Sequence, residues 1–348
     1  MNFVQVAIPS PLRQTFTYIN KSSSDLLGKR VLVEFGRRKL VGVVISNSDI
    51  SEGGYKLKNI LEVLDATPLF SKEAIKKITY ISEYYMHPLG IVIESFIPTF
   101  LRKAKHQKDL EKYHQAKEEL ISATNLHKLT NDQANCLDSI KSKSEGEILL
   151  SGITSSGKTE VYKHFINSLI NKGKSALVLV PEIFLTPQIF HDFQSSFGDK
   201  VFLNHSGLTS IQRIKVWLAA QDESPKIIIG TRSSVFLPIK NLGGVIFDEE
   251  HDQSYKQQEG FRYEAKEIAK ILYKETARII YASATPSLTN IKKGKDGEIE
   301  TCSLTKRISD APMPNISIHD VSRKQTSSGV SDQLIERIDE NEKAGYQT

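Results

Sequence analysis

From residue 129 onward the apolar positions fall in short continuous runs, at 148–150, 176–180, 201–203, 227–229, 245–247 and 279–282. Amphipathic or polar segments separate them. Strands buried on both faces need continuous rather than alternating apolar runs, as in parallel sheets. The pattern therefore predicts a doubly wound α/β sheet, with ligands at the carboxyl ends of its strands. The first third reads differently. Residues 4–8 alternate and end at Pro9, and two apolar-rich runs at 30–35 and 40–45 flank Gly36-Arg37-Arg38-Lys39. That arrangement predicts a β-hairpin with a basic turn in a small β-rich domain. A helix is expected over 72–85, broken by Pro88-Leu89-Gly90. Residues 103–126 are charged and helix-forming with little apolar periodicity, which predicts a linker helix. No internal repeat stands out, and Gln325-Thr326-Ser327-Ser328-Gly329 predicts a mobile loop.

The length of 348 residues allows two or three domains. No apolar stretch approaches the roughly 18 residues a bilayer span requires, and Met1-Asn2-Phe3-Val4-Gln5 lacks the basic and apolar regions of a secretory signal. No membrane partner is expected. Cys136 and Cys302 are the only two cysteines, too few for a disulfide framework or a Cys-based zinc site, and they fit a reducing cytoplasm. Charge is uneven. Residues 1–110 hold 16 Lys and Arg against 10 Asp and Glu, while the remainder holds 30 against 31. The basic surplus sits in the first third and points to a polyanion partner there, or to a solvated basic face.

The chemistry begins at Gly152-Ile153-Thr154-Ser155-Ser156-Gly157-Lys158-Thr159, the spacing of a phosphate-binding loop between a strand and a helix. Its glycines let backbone N–H groups surround phosphates, Lys158 can reach β/γ oxygens, and the Thr159 hydroxyl can hold Mg²⁺. About ninety positions later Asp248-Glu249 closes an apolar strand, as a second acidic motif should. Asp248 would share the metal, and Glu249 would orient or activate water. Together they predict ATP or GTP binding, with Lys158, Asp248 and Glu249 as the catalytic set. Gln133 has an amide able to read an adenine edge, or it only starts a helix. Thr231 and Arg232 end the fourth strand, where a hydroxyl and a guanidinium can meet a nucleic-acid phosphate. Ser283-Ala284-Thr285 ends the last strand, beside Asp248, where it could relay nucleotide state. In this order these pieces look like the first lobe of a superfamily 2 helicase, a RecA-like P-loop parallel sheet.

Longer stretches resemble one family. They are 177–188 with Val180-Pro181-Glu182, His205-Ser206-Gly207-Leu208 with Trp217, Asp248-Glu249-Glu250-His251-Asp252, Gln257-Gln258-Glu259-Gly260-Phe261-Arg262-Tyr263, and Ser283-Ala284-Thr285-Pro286-Ser287-Leu288. Near the start, Val6-Ala7-Ile8-Pro9, Arg13-Gln14-Thr15-Phe16, Phe35-Gly36-Arg37, Val41-Gly42-Val43-Val44 and Tyr84-Tyr85 agree. The family is that of the bacterial replication-restart helicases, primosomal protein N′. The resemblance implies a DNA 3′-end-binding domain over 1–103, a linker over 104–127 in place of the family's winged helix, a helicase ATP-binding lobe over 128–312, and over 313–348 the start of a connection to a second lobe. It implies an ATP- and Mg²⁺-dependent helicase moving 3′ to 5′ on forked DNA with a free 3′ end and on single strands. Its implied protein partners are primosome proteins and single-strand-binding protein. Phe16, Gly36 and Lys58 match positions that contact a 3′ nucleotide, with Arg37 available for phosphate; Thr17 stands where the family has an acidic residue. Phe261, Arg262 and Tyr263, with Tyr255, match an aromatic-rich loop that couples single-stranded DNA to Glu249. Ser155 replaces a glycine common in the phosphate loop. The second-lobe arginines and the family's zinc cysteines do not occur within these 348 residues, so the expectation is a fragment or reduced variant that binds DNA and ATP but does not unwind duplex. The competing expectation is a fork or DNA-end adaptor that holds nucleotide without turning it over.

Overall fold

The protein is described here from a computed structural model covering residues 2–22, 24–48, 57–106, 109–110, 113, 126–182, 187–308, 316, 318 and 330–346. It divides into two compact units, Met1–Ile308 and Ser309–Thr348. The linker helix expected over 103–126 lies largely outside the described residues, as do positions 183–186 of the second helicase-like motif and the Ser/Thr-rich patch at 325–329.

The first unit opens with β1 (Asn2–Ala7), β2 (Phe16–Asn20), β3 (Arg30–Phe35), β4 (Arg38–Ser48) and β5 (Lys58–Val63). They close a barrel in the order β1-β2-β5-β3-β4. Alternation drives this closure: Val4, Val6, Tyr18, Val31, Val33 and Val44 all point into one core, while Ala7 and Val43 on the other face are buried in the core shared with the helices that follow. The β3–β4 hairpin is tighter than the sequence implied. Phe35 pairs with Arg38, so the turn is Gly36-Arg37 alone, and Arg38 and Lys39 already belong to β4. Gly36 has φ +58°, the left-handed geometry that two-residue hairpin turns favour.

Two helices follow, α1 (Lys72–Tyr84) and α2 (Leu89–Glu94). The Ser71 side chain caps α1 by accepting from Ala74 N–H. α1 ends before Met86, which takes φ +49°, and Pro88 is the N-cap of α2. A Cβ at Gly90 would lie 1.9 Å from Ile8 O, so only glycine lets α2 press against the chain leaving β1. Arg30 and Asp65 are fully buried and paired, and Arg30 Nη1 also donates to Leu101 O at 2.6 Å, tying the barrel to the segment beyond α2.

The remaining elements of this unit are α3 (Asn131–Lys141), β6 (Gly146–Gly152), α4 (Lys158–Ile170), β7 (Ser175–Leu179), α5 (Pro187–Phe197), β8 (Val201–Asn204), α6 (Ser210–Ala220), β9 (Ile227–Gly230), β10 (Leu242–Phe247), α7 (Ala265–Tyr273), β11 (Arg278–Ser283), α8 (Leu288–Lys295) and β12 (Glu300–Leu304). Among the described residues, seven strands form an all-parallel sheet ordered β12-β6-β11-β10-β7-β9-β8. The six apolar runs became β6 to β11. Strand β12 was missed because its sequence, Glu-Thr-Cys-Ser-Leu, buries only Cys302 and Leu304 as an edge strand. Ser283 therefore ends the penultimate strand, still adjacent to β10. One continuous core runs from Ile78, Ile81 and Val92 of α1 and α2 to Phe236, Phe261 and Ile268 of the lobe. Lys77 Nζ also donates to Leu272 O at 2.8 Å, so α1 is bonded to α7. None of the described helices is long and apolar enough to cross a membrane.

The second unit contains α9 (Asp332–Lys343), capped by the Ser331 side chain accepting from Leu334 N–H. Leu334, Ile335 and Ile338 form an exposed apolar stripe along it.

Candidate functional site

The phosphate loop joins the end of β6 to the start of α4. Ser155 and Gly157 adopt left-handed φ values of +63° and +80°, which bend the loop around the first turn of α4. A Cβ at Gly152 would meet Ser156 Oγ at 2.6 Å, and one at Gly157 would meet Gln133 Nε2 at 2.3 Å. Neither position tolerates a side chain. Lys158 is buried and donates to Gly152 O at 2.8 Å. Burial pushes its ammonium pKa down, against the opposing pull of Glu249 and Asp248. Ser156 Oγ is buried without a hydrogen-bond partner, while Ile153 is half-buried and Thr154 and Ser155 are exposed at the loop's rim. An orphan hydroxyl, a buried ammonium bonded to carbonyls of its own loop, and a helix N-terminus suit a polyphosphate.

Gln133 combines both sequence readings. It is the third residue of α3 in a capping box with Thr130, and its Nε2 donates to Ser156 O at 2.9 Å. The amide thus binds the α3 start to the phosphate loop, at the wall of a cavity of about 250 Å³ bordered also by Asn131, Lys306 and Arg307.

The metal side lies across the loop. Tyr162 hydroxyl stands 3.1 Å from Asp248 Oδ2 and 3.3 Å from Thr159 Oγ1. Burial and the adjacent Glu249 push the Asp248 carboxyl up to about 6. Glu249 itself sits at φ +45°, a strained setting for a non-glycine residue, with its Oε2 3.5 Å from His251 Nδ1. Tyr162 was not anticipated from sequence; its position one turn after Thr159 was the available signal. Among the described residues no group of three or more His, Cys, Asp or Glu side chains could hold a metal by itself. Thr159 and Asp248 are thus a partial set whose completion requires phosphate oxygens and water.

Glu250 and His251 are the other residues missed. Glu250 is fully buried and accepts from Ser287 N at 2.6 Å, Asn290 Nδ2 at 2.9 Å and Lys266 Nζ at 3.2 Å. His251 Nδ1 lies 2.8 Å from Ser283 Oγ. The acidic motif is therefore bonded to the loop following β11, the relay position expected from sequence.

Phe16, Gly36 and Lys58 are brought together. They border one open pocket of about 830 Å³ between barrel and α1, with Tyr18, Glu34 and Thr79. Phe16 meets Phe35 edge-on at 4.7 Å, and Lys58 Nζ donates to Glu34 Oε1 at 2.8 Å and Gly36 O at 3.2 Å. Thr17 Oγ1 accepts from Gln5 Nε2 at 2.9 Å. Arg37 is exposed on the hairpin turn.

Four expected contact residues are engaged within the fold instead. Phe261 and Tyr263 are buried, not facing a strand. Phe261 stacks on His87 at 5.2 Å and meets Tyr85 edge-on at 5.5 Å, and Tyr263 packs on Phe236 at 4.7 Å. Apolar area explains the choice, since these rings fill the seam between α1 and the lobe. Arg262 alone of the three is exposed. Thr231 is likewise buried, and Arg232 spends its guanidinium on Gln257 Oε1 at 2.8 Å and Ser254 O at 2.9 Å. Tyr255 donates to Asp248 O at 2.6 Å, joining this segment to the acidic motif. Cys136 and Cys302, far apart in sequence, are both free thiols buried in the lobe core, where Cys136 Sγ lies 4.0 Å from Ser303 O.

Comparison with known proteins agrees with this layout. Residues 5–98 match the model of a 3′DNA-binding domain, and residues 130–293 match that of a DEAD/DEAH box helicase. Replication restart protein PriA of Haemophilus influenzae is 32% identical over an alignment covering 100% of this chain and 58% of that protein. The Rickettsia felis PriA is 33% identical, covering 98% and 52%, and that of Bacillus subtilis 34%, covering 72% and 32%. The chain spans about half the length of most of the curated relatives it matches. With a barrel that matches the 3′DNA-binding domain packed on a helicase lobe, the chain belongs to the PriA replication-restart family.

Proposed function

We propose that the chain serves an ATP-dependent DNA helicase of replication restart, reading a free 3′ end with its barrel and binding ATP with its parallel sheet. The observation that carries this reading is the shared unit: the barrel with the pocket around Phe16 and Lys58 and the lobe with the loop at Lys158 belong to one compact unit, joined by the core that runs from α1 and α2 into the lobe. When bound, Mg-ATP supplies the γ-phosphoryl group and a cation that offsets developing charge. The chain's own residues do the rest. Gly152, Ser156, Gly157 and Lys158 bind phosphate oxygens, Thr159 and Asp248 hold Mg²⁺, Gln133 faces adenine, and Glu249 orients the attacking water. In the barrel Phe16 stacks on a terminal base, and Lys58, released from Glu34, meets phosphate beside the Gly36 backbone. Arg262 and Arg37 supply further phosphate contacts, and the buried Thr231, Phe261 and Tyr263, with the half-buried Arg232, position the segment that carries Arg262. Movement 3′ to 5′ on the fork, work alongside primosome and single-strand-binding proteins, and a cytoplasmic setting follow from the restart assignment.

The test is a binding comparison between oligonucleotides ending in a 3′-hydroxyl and in a 3′-phosphate, together with ATP turnover in the presence of each. Preference for the hydroxyl, lost in Lys58→Ala, is expected. Equal affinity for both ends, unchanged by the substitution, would remove the 3′-end assignment. Absence of any ATP binding would remove the nucleotide assignment.

A further inference from the structure

The outer face of α1 carries an apolar patch that no contact in the fold explains. Tyr80, Tyr84 and Met86 are exposed by 53%, 52% and 69%, within seven residues of one another. The two tyrosines stand one helical turn apart with ring centroids 6.1 Å apart and planes inclined by 34°, so they form one contiguous aromatic surface. Arg13 holds the Met86 carbonyl at 2.6 Å, fixing the third member beside them. Clusters of exposed large apolar groups mark binding surfaces when they adjoin a functional site.

The neighbours identify the occupant. On one side Thr79 and Glu83, adjacent in sequence to Tyr80 and Tyr84, line the pocket that also holds Phe16 and Lys58. On the other side Tyr84 meets Tyr85 edge-on at 4.9 Å, and Tyr85 meets Phe261 of the segment following Asp248. Lys256 Nζ lies 5.7 Å from the Tyr85 ring and donates to Arg262 O at 3.1 Å, bringing a cationic side chain to this border. Exposed rings flanked by cations, in line between an end-binding pocket and a motor loop, are what a single strand requires. Every base offers a π-face, and phosphates follow the cations. Tyr80 and Tyr84 also lie within the span that matches a 3′DNA-binding domain.

We infer that Tyr80 and Tyr84 form a stacking platform for the bases immediately 5′ of the terminal nucleotide, leading single-stranded DNA from the pocket toward Arg262. The inference rests on the end-binding reading of that pocket. Met86 extends the platform at its far edge.

The experiment measures anisotropy of a 5′-labelled hexathymidylate against the full chain, with a second oligonucleotide abasic at the second to fourth positions from the 3′ end. The Tyr80→Ala/Tyr84→Ala variant is expected to bind the intact hexamer about tenfold more weakly, with an unchanged thermal melt. The abasic oligonucleotide should show the same loss with wild type and no additional loss with the variant. Tyr80→Trp/Tyr84→Trp should restore binding. An equal affinity of wild type and alanine variant for the intact hexamer overturns the platform, as does an equal loss for intact and abasic strands. A 3′-phosphorylated hexamer is the separate control. If wild type binds it as well as the hydroxyl form, the pocket reading fails, while the comparison of intact and abasic strands still decides the platform.

Discussion

Tyr162 donates its hydroxyl to Asp248 Oδ2 over 3.1 Å, so the helix that carries Thr159 also restrains the carboxylate at the end of β10. That bond favours the charged carboxylate, while burial and Glu249 oppose it more strongly and leave Asp248 at about 6. The folded chain thus binds this proton more tightly than the unfolded chain, whose value is 3.8. Its stabilising contribution is complete below about pH 4 and is lost as pH rises through about 6. Asp248→Asn is therefore expected to stabilise the nucleotide-free chain at pH 7.5, by on the order of 3 kcal/mol at about 1.4 kcal/mol per pKa unit. The gain should shrink as pH falls toward 5. Thermal melts across that range check it, and a gain that does not vary with pH would contradict it. Mg²⁺ should also bind more weakly below pH 6, and in Tyr162→Phe this loss should begin at higher pH.

Lys158→Ala removes the buried ammonium of the phosphate loop. A charge-assisted contact of about 1.5–3 kcal/mol is lost, roughly ten- to a hundredfold in ATP affinity. Calorimetric titration with Mg-ATP measures it, and equal affinity in wild type and variant would refute the loop assignment.

Phe261 and Arg262 should separate packing from binding. Phe261→Ala truncates a buried ring that contacts Tyr85, His87 and Phe236, at an expected cost of about 3–5 kcal/mol. Arg262→Ala, on the exposed side, should change stability by less than about 0.5 kcal/mol and weaken single-strand binding in a salt-dependent way. Urea unfolding and anisotropy on both variants give the answer; an undisturbed Phe261→Ala melt would show that the cluster contributes little.

Glu250→Ala leaves Ser287 N–H and Asn290 Nδ2 without their acceptor and Lys266 without its carboxylate. Breaking a buried pair from one side costs about 3–5 kcal/mol. The urea midpoint should fall accordingly, and Glu250→Gln should recover part of it. A midpoint unchanged in Glu250→Ala would mean that the bond between acidic motif and α8 is dispensable.

The linear pattern determined much of this protein. Continuous apolar runs specified six parallel strands, because the middle of a strand covered on both faces is apolar and polar residues such as Glu147 and Arg278 fall at its ends. The Gly-Lys-Thr spacing located the phosphate loop, because only glycines at 152 and 157 fit its turns. Local rules also sufficed for α1 and for the existence of the β3–β4 hairpin, though not for its length, since the turn closed over two residues rather than four. What the sequence could not decide was which side of the chain each functional group would face. Phe261, Arg262 and Tyr263 are consecutive, yet packing against α1 buried the two rings and left the guanidinium outside. β12 escaped notice because an edge strand needs only two buried side chains. Tyr162, Glu250 and His251 acquired partners 86, 37 and 32 residues away, through contacts that exist only once β6, β10 and β11 lie side by side. Long-range pairing of polar groups in a buried seam is set by the assembled sheet, and no periodicity along the chain records it.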